Sequence, residues 1–271
     1  MISGEALTIR ELGGLAELAL TPPLARSIWG EDDQPEDPVL LLTVQRIGGL
    51  VAGAVDERGQ LWAYLVGLPT GQADTQHSHR LGVHPACRNQ RLGERLKRFQ
   101  RDWCLERGVR QLRWTFDPLL LVNAHLNIHR LGATVRTFLP NYYGQMGGIN
   151  AGAPSDRFEA EWTLDGERAA AHLAGQENDP WPEQAFHPLG DDLPDTLPDT
   201  LAVRIPPDFY RLLREDRTQA LDWRRKAGPL FTRLFEGGYT LTDVNLSRAQ
   251  YLFTTESLYT FTTEGSHGSG C

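Results

Sequence analysis

The apolar residues in the middle of the chain recur at the spacing of an α-helix. One stripe stands at offsets of 0, 4, 7 and 11 and comprises Leu92, Leu96, Phe99 and Trp103. The residues between them are mostly charged, which is typical of a helix with one face on a core. Before this helix, residues 77–83 read as a strand that ends at Pro85 and leads into a basic turn, 88–91. The sequence therefore predicts a strand, a tight basic turn and an amphipathic helix in succession.

The segment before this unit reads as a strand, two helices and then more strands. Thr21 is a good N-cap, and Pro22 suits the first helical position. Gly48 and Gly49 indicate a tight turn between two strands. The predicted elements are a strand at 7–12, helices at 14–20 and 21–30, and strands at 39–46, 50–55 and 61–68.

After the central helix, the pattern predicts a strand, a helix and two further strands. The second helix has its apolar face at Leu121, Ala124, Ile128 and Leu131. Residues 141–155 form a long glycine-rich loop, of a kind that is usually functional or mobile. The strands are expected at 109–116, 135–139 and 158–164.

The composition changes after Asp165. Prolines recur up to Thr200, which favours a linker or surface loop. Beyond it we predict a β-α-β-β block, in which Asp208 caps a long helix that Gly228–Pro229 interrupts. The strand-forming segments lie at 201–205, 230–235, 239–244 and 251–255, and residues 265–271 read as a flexible tail. The block either extends the first sheet or forms a contact between two copies, which leaves a homodimer open.

Composition excludes several classes of protein. The 271 residues, 40% hydrophobic and 23% charged, are ordinary for a globular protein with one large core or two modest ones. A net charge of −8 argues against nucleic acid as the main partner. No apolar run reaches the length of a membrane span and no leader pattern opens the chain, so we expect a cytoplasmic protein without a membrane partner. Three cysteines without paired spacing do not indicate disulfides.

The central strand, turn and helix carry a specific signature. It consists of Val83, Pro85, Arg88, Leu92, Gly93 and Leu96. The stretch resembles the signature of the GNAT superfamily of N-acetyltransferases, in which Val-x-Pro precedes Arg/Gln-x-x-Gly-x-Gly/Ala. The alternative is an ordinary strand–helix unit whose basic turn is merely solvated.

By this resemblance the chain uses acetyl-CoA or another acyl-CoA as co-substrate. Strand backbone near Leu81 and Val83 would pair with the pantetheine arm. Asn123 and Asn127 would hydrogen-bond the cofactor or the substrate, or else simply face solvent. The pyrophosphate would lie on the backbone amides of Arg88, Asn89, Gln90, Arg91, Leu92 and Gly93. Such a junction suits a diphosphate because N–H groups and the helix dipole converge there.

Two positions depart from the superfamily pattern. Arg91 stands where the family usually has its first glycine, so it either adds a cation to the phosphates or crowds them. The helix around Ala124 and Gly132 is similar to the superfamily's fourth helix, yet Ile128 occupies the place of a tyrosine often used as general acid. Tyr143, in the long loop, is the substitute acid that we predict.

Acyl transfer to an amine also needs a proton acceptor and a site for the acceptor molecule. His77 and His79 share a strand face and are the candidate bases, although two half-exposed histidines would look the same. Asp117 is either a further base or a helix N-cap. Arg157 and Arg80 are the cations that a carboxylate on the acceptor would need. The histidines lack supporting ligands for a metal, and none is expected.

The sequence thus predicts an α/β (α+β) chain with a GNAT-like mixed, mostly antiparallel sheet that is splayed at the acyl-CoA site, plus the C-terminal block. The expected division is 1–165 for the acyl-CoA-binding domain, 166–200 for the linker, 201–264 for the block and 265–271 for the tail. The expected function is N-acyl transfer to the amine of a small molecule such as an amino acid. The acyl group stays open between acetyl, succinyl and related groups. The alternative is a non-catalytic CoA-binding or protein-interaction module.

Overall fold

The computed structural model describes residues 7–88, 90–144, 154–175, 181–191 and 196–255. The chain divides into two compact units. Unit 1 comprises Met1–Trp114 with Thr163–Asp165, and unit 2 comprises Thr115–Trp162 with Gly166–Cys271. Among the described residues, no helix combines the length and the apolar character that a membrane span requires.

In its described residues, unit 1 folds into a five-stranded sheet with four α-helices. Its strands follow the order β1-β2-β3-β4-β5, and the first four pair antiparallel. The elements are β1 (Thr8–Glu11), α1 (Gly14–Leu18), α2 (Thr21–Trp29), α3 (Pro38–Arg46), β2 (Leu50–Val55), β3 (Leu61–Pro69), β4 (Thr75–Val83), a 3₁₀ turn (Pro85–Cys87), α4 (Leu92–Leu105) and β5 (Gln111–Phe116).

The central motif folds as its pattern predicts. Leu92, Leu96 and Trp103 of α4 are buried, and the helix lies against strands β1 to β4. A second core forms where α1, α2 and α3 pack their leucines against Tyr64 and Val66 of β3. Helix α4 and the group of helices α1 to α3 therefore both pack against the sheet that contains β4.

Strands β4 and β5 run parallel but pair only at one end. Their register covers three residue pairs, from Thr75↔Gln111 to His77↔Arg113. Strand β4 continues to Val83, and in that stretch it keeps its pairing with β3. The two parallel strands thus part after His77, which agrees with the predicted splayed sheet.

Unit 2 contains the remaining strands and helices. The strand order is β7-β6-β10-β11-β9-β8, and β8 and β9 form a parallel pair. The elements are α5 (Leu121–Ala124), a π-helix (His125–Arg130), β6 (Thr134–Leu139), β7 (Arg157–Thr163), α6 (Glu167–Leu173), β8 (Ala185–Phe186), β9 (Thr200–Arg204), α7 (Phe209–Glu215), α8 (Arg217–Glu236), β10 (Tyr239–Asn245) and β11 (Gln250–Thr255).

The C-terminal block has the order β9-α7-α8-β10-β11, with two helices in place of the one in the predicted β-α-β-β order, and it joins the sheet of unit 2. Leu241 of β10 pairs with Val135 of β6, a strand that the sequence assigned to the first domain. Phe158 of β7 packs edge-on against Phe231 of α8 at a ring distance of 4.7 Å. The block therefore shares a core with β6 and β7 and, within unit 2, extends their sheet.

The prediction of a strand at 39–46 was wrong, because this segment is helix α3. The Asp37 carboxylate accepts a hydrogen bond from the backbone N–H of Val39 at 2.8 Å, and Pro38 occupies the first turn. Leu41 and Val44, three residues apart, are the buried side chains. An Asp-Pro start and helical spacing outweighed the strand-like composition of the run.

The prediction that Gly228–Pro229 interrupts the helix of the C-terminal block was wrong. Helix α8 continues through both residues to Glu236, so residues 230–235 are helical. Burial of Leu230, Phe231 and Leu234 offsets a proline penalty of about 3 kcal/mol. The predicted single long helix is instead two, α7 and α8, with separate caps at Asp208 and Asp216.

The predicted linker contains helix α6. Ala169 and His172 of this helix are buried, and His172 Nδ1 lies 2.6 Å from the backbone oxygen of His129. Burial and this hydrogen bond therefore stabilise a helix in a segment that its many prolines had led us to predict as irregular. The tail at 265–271 and most of the predicted loop, residues 145–153, lie outside the described residues.

Candidate functional site

The turn between β4 and α4 has a backbone that suits an anion. His84 Nδ1 accepts a hydrogen bond from the backbone N–H of Ala86 at 3.1 Å and so starts the 3₁₀ turn. Arg88, Gln90 and Arg91 are exposed. Among the described residues, no side chain caps the first amides of α4, so those N–H groups remain open to a ligand.

Arg91 adopts the conformation that glycine favours. Its φ of 54° and ψ of 24° lie in the left-handed region, which costs a non-glycine residue roughly 1–2 kcal/mol. Arg91 stands where the signature that the sequence resembles has a glycine. The turn thus has a backbone conformation that glycine favours, and it carries an arginine side chain.

The open edge of β4 begins next to this turn. Leu81 and Val83, the residues expected to face pantetheine, are half-buried. Their strand has no β5 partner beyond His77. Unpaired strand N–H and C=O groups need a partner, and an extended amide chain supplies one. Gly93 is half-buried at the start of α4, whereas Asn89 lies outside the described residues.

His77 and His79 lie close together on β4 but differ in their surroundings. Their ring centroids are 6.3 Å apart. His79 Nε2 lies 2.8 Å from Glu36 Oε1, and the His79 side chain is 39% exposed. Burial, followed by the nearby charges of His79 and Lys97, lowers the pKa of His77. Burial thus favours the neutral form of His77, in which one ring nitrogen can accept a proton.

Glu36 connects His79 to Arg80. Burial alone would raise the pKa of Glu36, but the hydrogen bond from His79 and the charge of Arg80 hold it below its ordinary value. Arg80 also pairs with Asp33 at 2.7 Å and covers the ring of Trp29 at 4.6 Å. Arg80 is thus committed to internal partners, which weakens its case as a substrate-binding cation.

Sequence reasoning missed Lys97, a buried amine at the point where β4 and β5 part. It is 2% exposed, and its Nζ donates to Ser78 Oγ at 2.7 Å and to Gln100 Oε1 at 3.3 Å. The Nζ also lies 3.7 Å from the ring centre of Trp114. Ser78 and Trp114 are the residues that follow the last β4–β5 pair on each strand. Lys97 directly follows Leu96 of the apolar stripe, which was the available sign of its burial.

Asp117 takes part in a buried ion pair. It is 8% exposed, and both of its carboxylate oxygens accept hydrogen bonds from the guanidinium of Arg224, one at 2.6 Å. One oxygen also accepts from the backbone N–H of Leu119 at 2.9 Å. Both oxygens are engaged, so the geometry favours a structural role over proton transfer.

Tyr143 and Arg157 meet in unit 2. The Arg157 guanidinium lies 4.9 Å from the ring centre of Tyr143, and the Tyr143 hydroxyl is 3.1 Å from Thr115 Oγ1. Tyr143 is 56% exposed, so its hydroxyl is accessible to a ligand. Asn123 is exposed whereas Asn127 is buried, and the two amides therefore do not share an environment.

The remaining reactive groups give no further centre. Burial raises the pKa of the Cys87 thiol, which disfavours a nucleophilic thiolate. Among the described residues, no group of histidine, cysteine and carboxylate side chains is arranged to hold a metal ion. The site candidates in unit 1 are therefore the β4 edge, the basic turn, the two histidines and Lys97.

Comparison with known proteins finds acetyltransferases among the similar solved structures. A putative acetyltransferase from Acinetobacter baylyi is 18% identical, covers 62% of this chain and 97% of its own, and has a TM-score of 0.49. The ribosomal-protein-S18-alanine N-acetyltransferase from Escherichia coli is 18% identical, with 60% and 97% covered and a TM-score of 0.49. A putative acetyltransferase from Salmonella typhimurium, solved with acetyl-CoA, is 22% identical, with 59% and 95% covered and a TM-score of 0.48.

Neither a family model nor a curated protein matches the chain. At such identities and TM-scores the solved structures say nothing about activity. The function proposed below rests on the residues of this chain.

Lys97 should make stability depend on pH. Burial lowers its pKa from 10.5 to about 7, so between these pH values the unfolded chain binds a proton that the folded chain lacks. The free energy of unfolding should therefore rise with pH across this window. Lys97→Met should be more stable than wild type at pH 7, on the order of 1–3 kcal/mol, and the difference should shrink toward pH 10. Urea unfolding at a series of pH values measures this, and an unchanged slope in the variant would contradict it.

Proposed function

We propose that this chain is an acyl-CoA-dependent N-acyltransferase that transfers an acetyl or related acyl group to the amine of a small molecule. The observation that carries this proposal is the separation of β4 from β5 after three residue pairs. Beyond that point β4 leads into a basic turn, in which the backbone of Arg91 has a conformation that glycine favours. An open strand edge and a converging set of amides match the two halves of CoA. The pantetheine arm is an extended diamide, and the diphosphate is an anion.

The residues of unit 1 fit this cofactor. Backbone groups of β4 from Ser78 to Val83 would hold the pantetheine, and the first amides of α4 would hold the diphosphate. Arg88 and Arg91 add exposed cations at the same turn. When bound, the cofactor supplies an activated thioester, and the chain has to orient it and accept a proton from the amine.

His79 and His77 are the proposed proton acceptors. Glu36 holds the His79 ring through Nε2, which leaves Nδ1 for an incoming proton. Burial lowers the pKa of His77, which lies beside His79. Glu36 would also stabilise the imidazolium that forms on His79, as an orienting carboxylate does in other histidine bases.

An amino acid is the acceptor that the cations favour. Arg157, stacked on Tyr143 in unit 2, is the proposed partner for its carboxylate, and Tyr143 is the proposed acid toward the leaving thiolate. Arg80 is the weaker candidate because Asp33 and Glu36 already pair with it. The acyl group remains open between acetyl, succinyl and related groups.

One observation favours a non-catalytic CoA-binding module instead. Ile128, at the place of the usual tyrosine acid, is fully buried, so no phenol stands there. Thiol release from acyl-CoA in the presence of an amine panel separates the two functions. Binding of CoA without turnover on any amine would favour the non-catalytic module.

CoA binding tests the proposed diphosphate cradle, which comprises the backbone amides and the arginine side chains of residues 88–93. Arg88→Ala and Gly93→Trp should weaken the binding of acetyl-CoA at least tenfold, because one removes a cation and the other fills the approach to the amides. Arg91→Gly should change affinity only a few-fold if the backbone amides hold the phosphates, and more if the guanidinium does. Isothermal titration calorimetry with acetyl-CoA, succinyl-CoA and CoA measures these affinities.

The control for charge is Arg98→Ala, farther along α4, where Arg98 pairs with Glu94 at 3.0 Å. This variant should bind like wild type. The thermal midpoint of each variant establishes that it is folded. If a folded Gly93→Trp variant keeps wild-type affinity, or if wild type binds none of the three ligands, the cradle does not exist.

The acceptor is tested through Arg157. For an amino-acid acceptor, Arg157→Ala should raise KM roughly tenfold or more and leave the KM for acyl-CoA unchanged, since a charge-assisted pair is lost. Arg157→Lys should recover only part of this, because an ammonium cannot make the planar two-point contact. Amidated amino acids should be poor substrates for wild type, and their KM should be the same in Arg157→Ala as in wild type. Equal use of acids and amides by wild type would refute a carboxylate site.

A further inference from the structure

Unit 2 contains an open cavity of about 540 Å³ for which the proposed function has no use. It lies between the end of β6, the start of β7 and the middle of α8. Its walls include Phe138, Pro140, Asp156, Arg224, Gly228 and Pro229. The cavity is large enough for a small organic molecule, and its walls combine apolar residues such as Phe138, Pro140 and Pro229 with charged ones.

Asp156 places a carboxylate in this cavity without an ion-pair partner. The residue is 7% exposed, and its Oδ1 accepts one hydrogen bond, from the backbone N–H of Asn141 at 2.9 Å. In the part of the chain that the structure describes, Oδ2 has no hydrogen bond. This oxygen lies 3.6 Å from the position that a Cβ on Gly228 would occupy. Burial raises the pKa of Asp156, and the hydrogen bond from Asn141 and the charges of Arg224 and Arg157 offset this only in part.

Helix α8 contains two unusual residues where it lies next to Asp156. Gly228 and Pro229 are the two residue types that most destabilise a helix interior, and both lie within its 20 residues. The absence of a side chain on Gly228 leaves space in front of Asp156. Pro229 has no N–H, so the carbonyl of Arg225 loses its helical donor. The helix therefore contributes space in front of Asp156.

The arginines at the cavity are neutralised within the protein. Arg224 forms the buried pair with Asp117, and Arg225 pairs with Asp222 at 2.6 Å. At the rim, Arg233 and Glu236 carry opposite charges. Asp156 therefore remains a buried carboxylate with one oxygen that accepts no hydrogen bond in the described part of the chain. A ligand group that meets this oxygen has to bring donors, and a positive charge on it would form an ion pair.

We infer that this cavity binds a primary amine on an apolar body, with the ammonium group on Asp156 and the body against Phe138, Pro140 and Pro229. An ammonium has three donors, which suits the free carboxylate oxygen of Asp156. The apolar walls supply contact area without competing for the charge. This inference goes beyond the proposed transfer reaction and is tested by binding alone, so failure of the one does not decide the other.

Calorimetry on the full chain with 2-phenylethylamine tests the inference, and 2-phenylethanol is the uncharged control. Wild type should bind the amine, and the alcohol at least tenfold more weakly. Asp156→Asn keeps the shape and the acceptor for Asn141, and it should weaken amine binding tenfold or more without a loss of thermal stability. Equal affinity for amine and alcohol, or no amine binding by wild type at millimolar concentration, would overturn the inference.

Two further variants separate charge from space. Gly228→Leu should abolish amine binding by filling the cavity, whereas Gly228→Ala, whose Cβ makes ordinary contacts of 3.6 and 3.9 Å, should stay folded and keep most of it. Glu236→Gln removes a carboxylate at the exposed rim and should change affinity less than twofold. A loss in Glu236→Gln that equals the loss in Asp156→Asn would place the amine at the rim and refute the inference.

Discussion

The cofactor site proposed in unit 1 depends on the separation of two parallel strands. Strands β4 and β5 share three residue pairs, and β4 then runs on to Val83 without a β5 partner. A strand edge inside a sheet is unfavourable because its backbone groups require hydrogen bonds. Lys97 lies at the point of separation, between Ser78 and Trp114, and adds a second unfavourable group, a buried amine without a carboxylate partner among the described residues. Such features persist when a ligand or a function compensates for them.

Local patterns predicted most of this unit. The stripe on α4 and the alternation in the strands specify their elements directly, because the period of the apolar residues is the period of the structure. The apolar run in α3 was wrongly predicted to be a strand, because four apolar residues in a row fit a strand as well as a helix. The N-cap Asp37 followed by Pro38 was the feature that indicated a helix. Arg91 shows that a glycine-like turn is recognisable from its neighbours even when glycine is absent.

Long-range partners could not be predicted from the sequence. Asp117 pairs with Arg224, which is 107 residues away, and no local pattern selects that arginine from the others on α8. The pairing of Arg80 with Asp33, and of His79 with Glu36, likewise joins a strand to a distant acidic loop. Helix α6 and the continuation of α8 through Pro229 depend on tertiary burial, which outweighs local propensity.

The central claim is that acyl-CoA binds along the open edge of β4 and the turn that follows it. Hydrogen–deuterium exchange with and without CoA measures this most directly, because it reports on the backbone amides that the claim concerns. We predict slower exchange in the presence of CoA at residues 78–83 and 90–95, with unchanged exchange in β9 and β11 of unit 2. Equal exchange with and without CoA at β4 and the start of α4, under conditions where CoA is bound, would contradict the account.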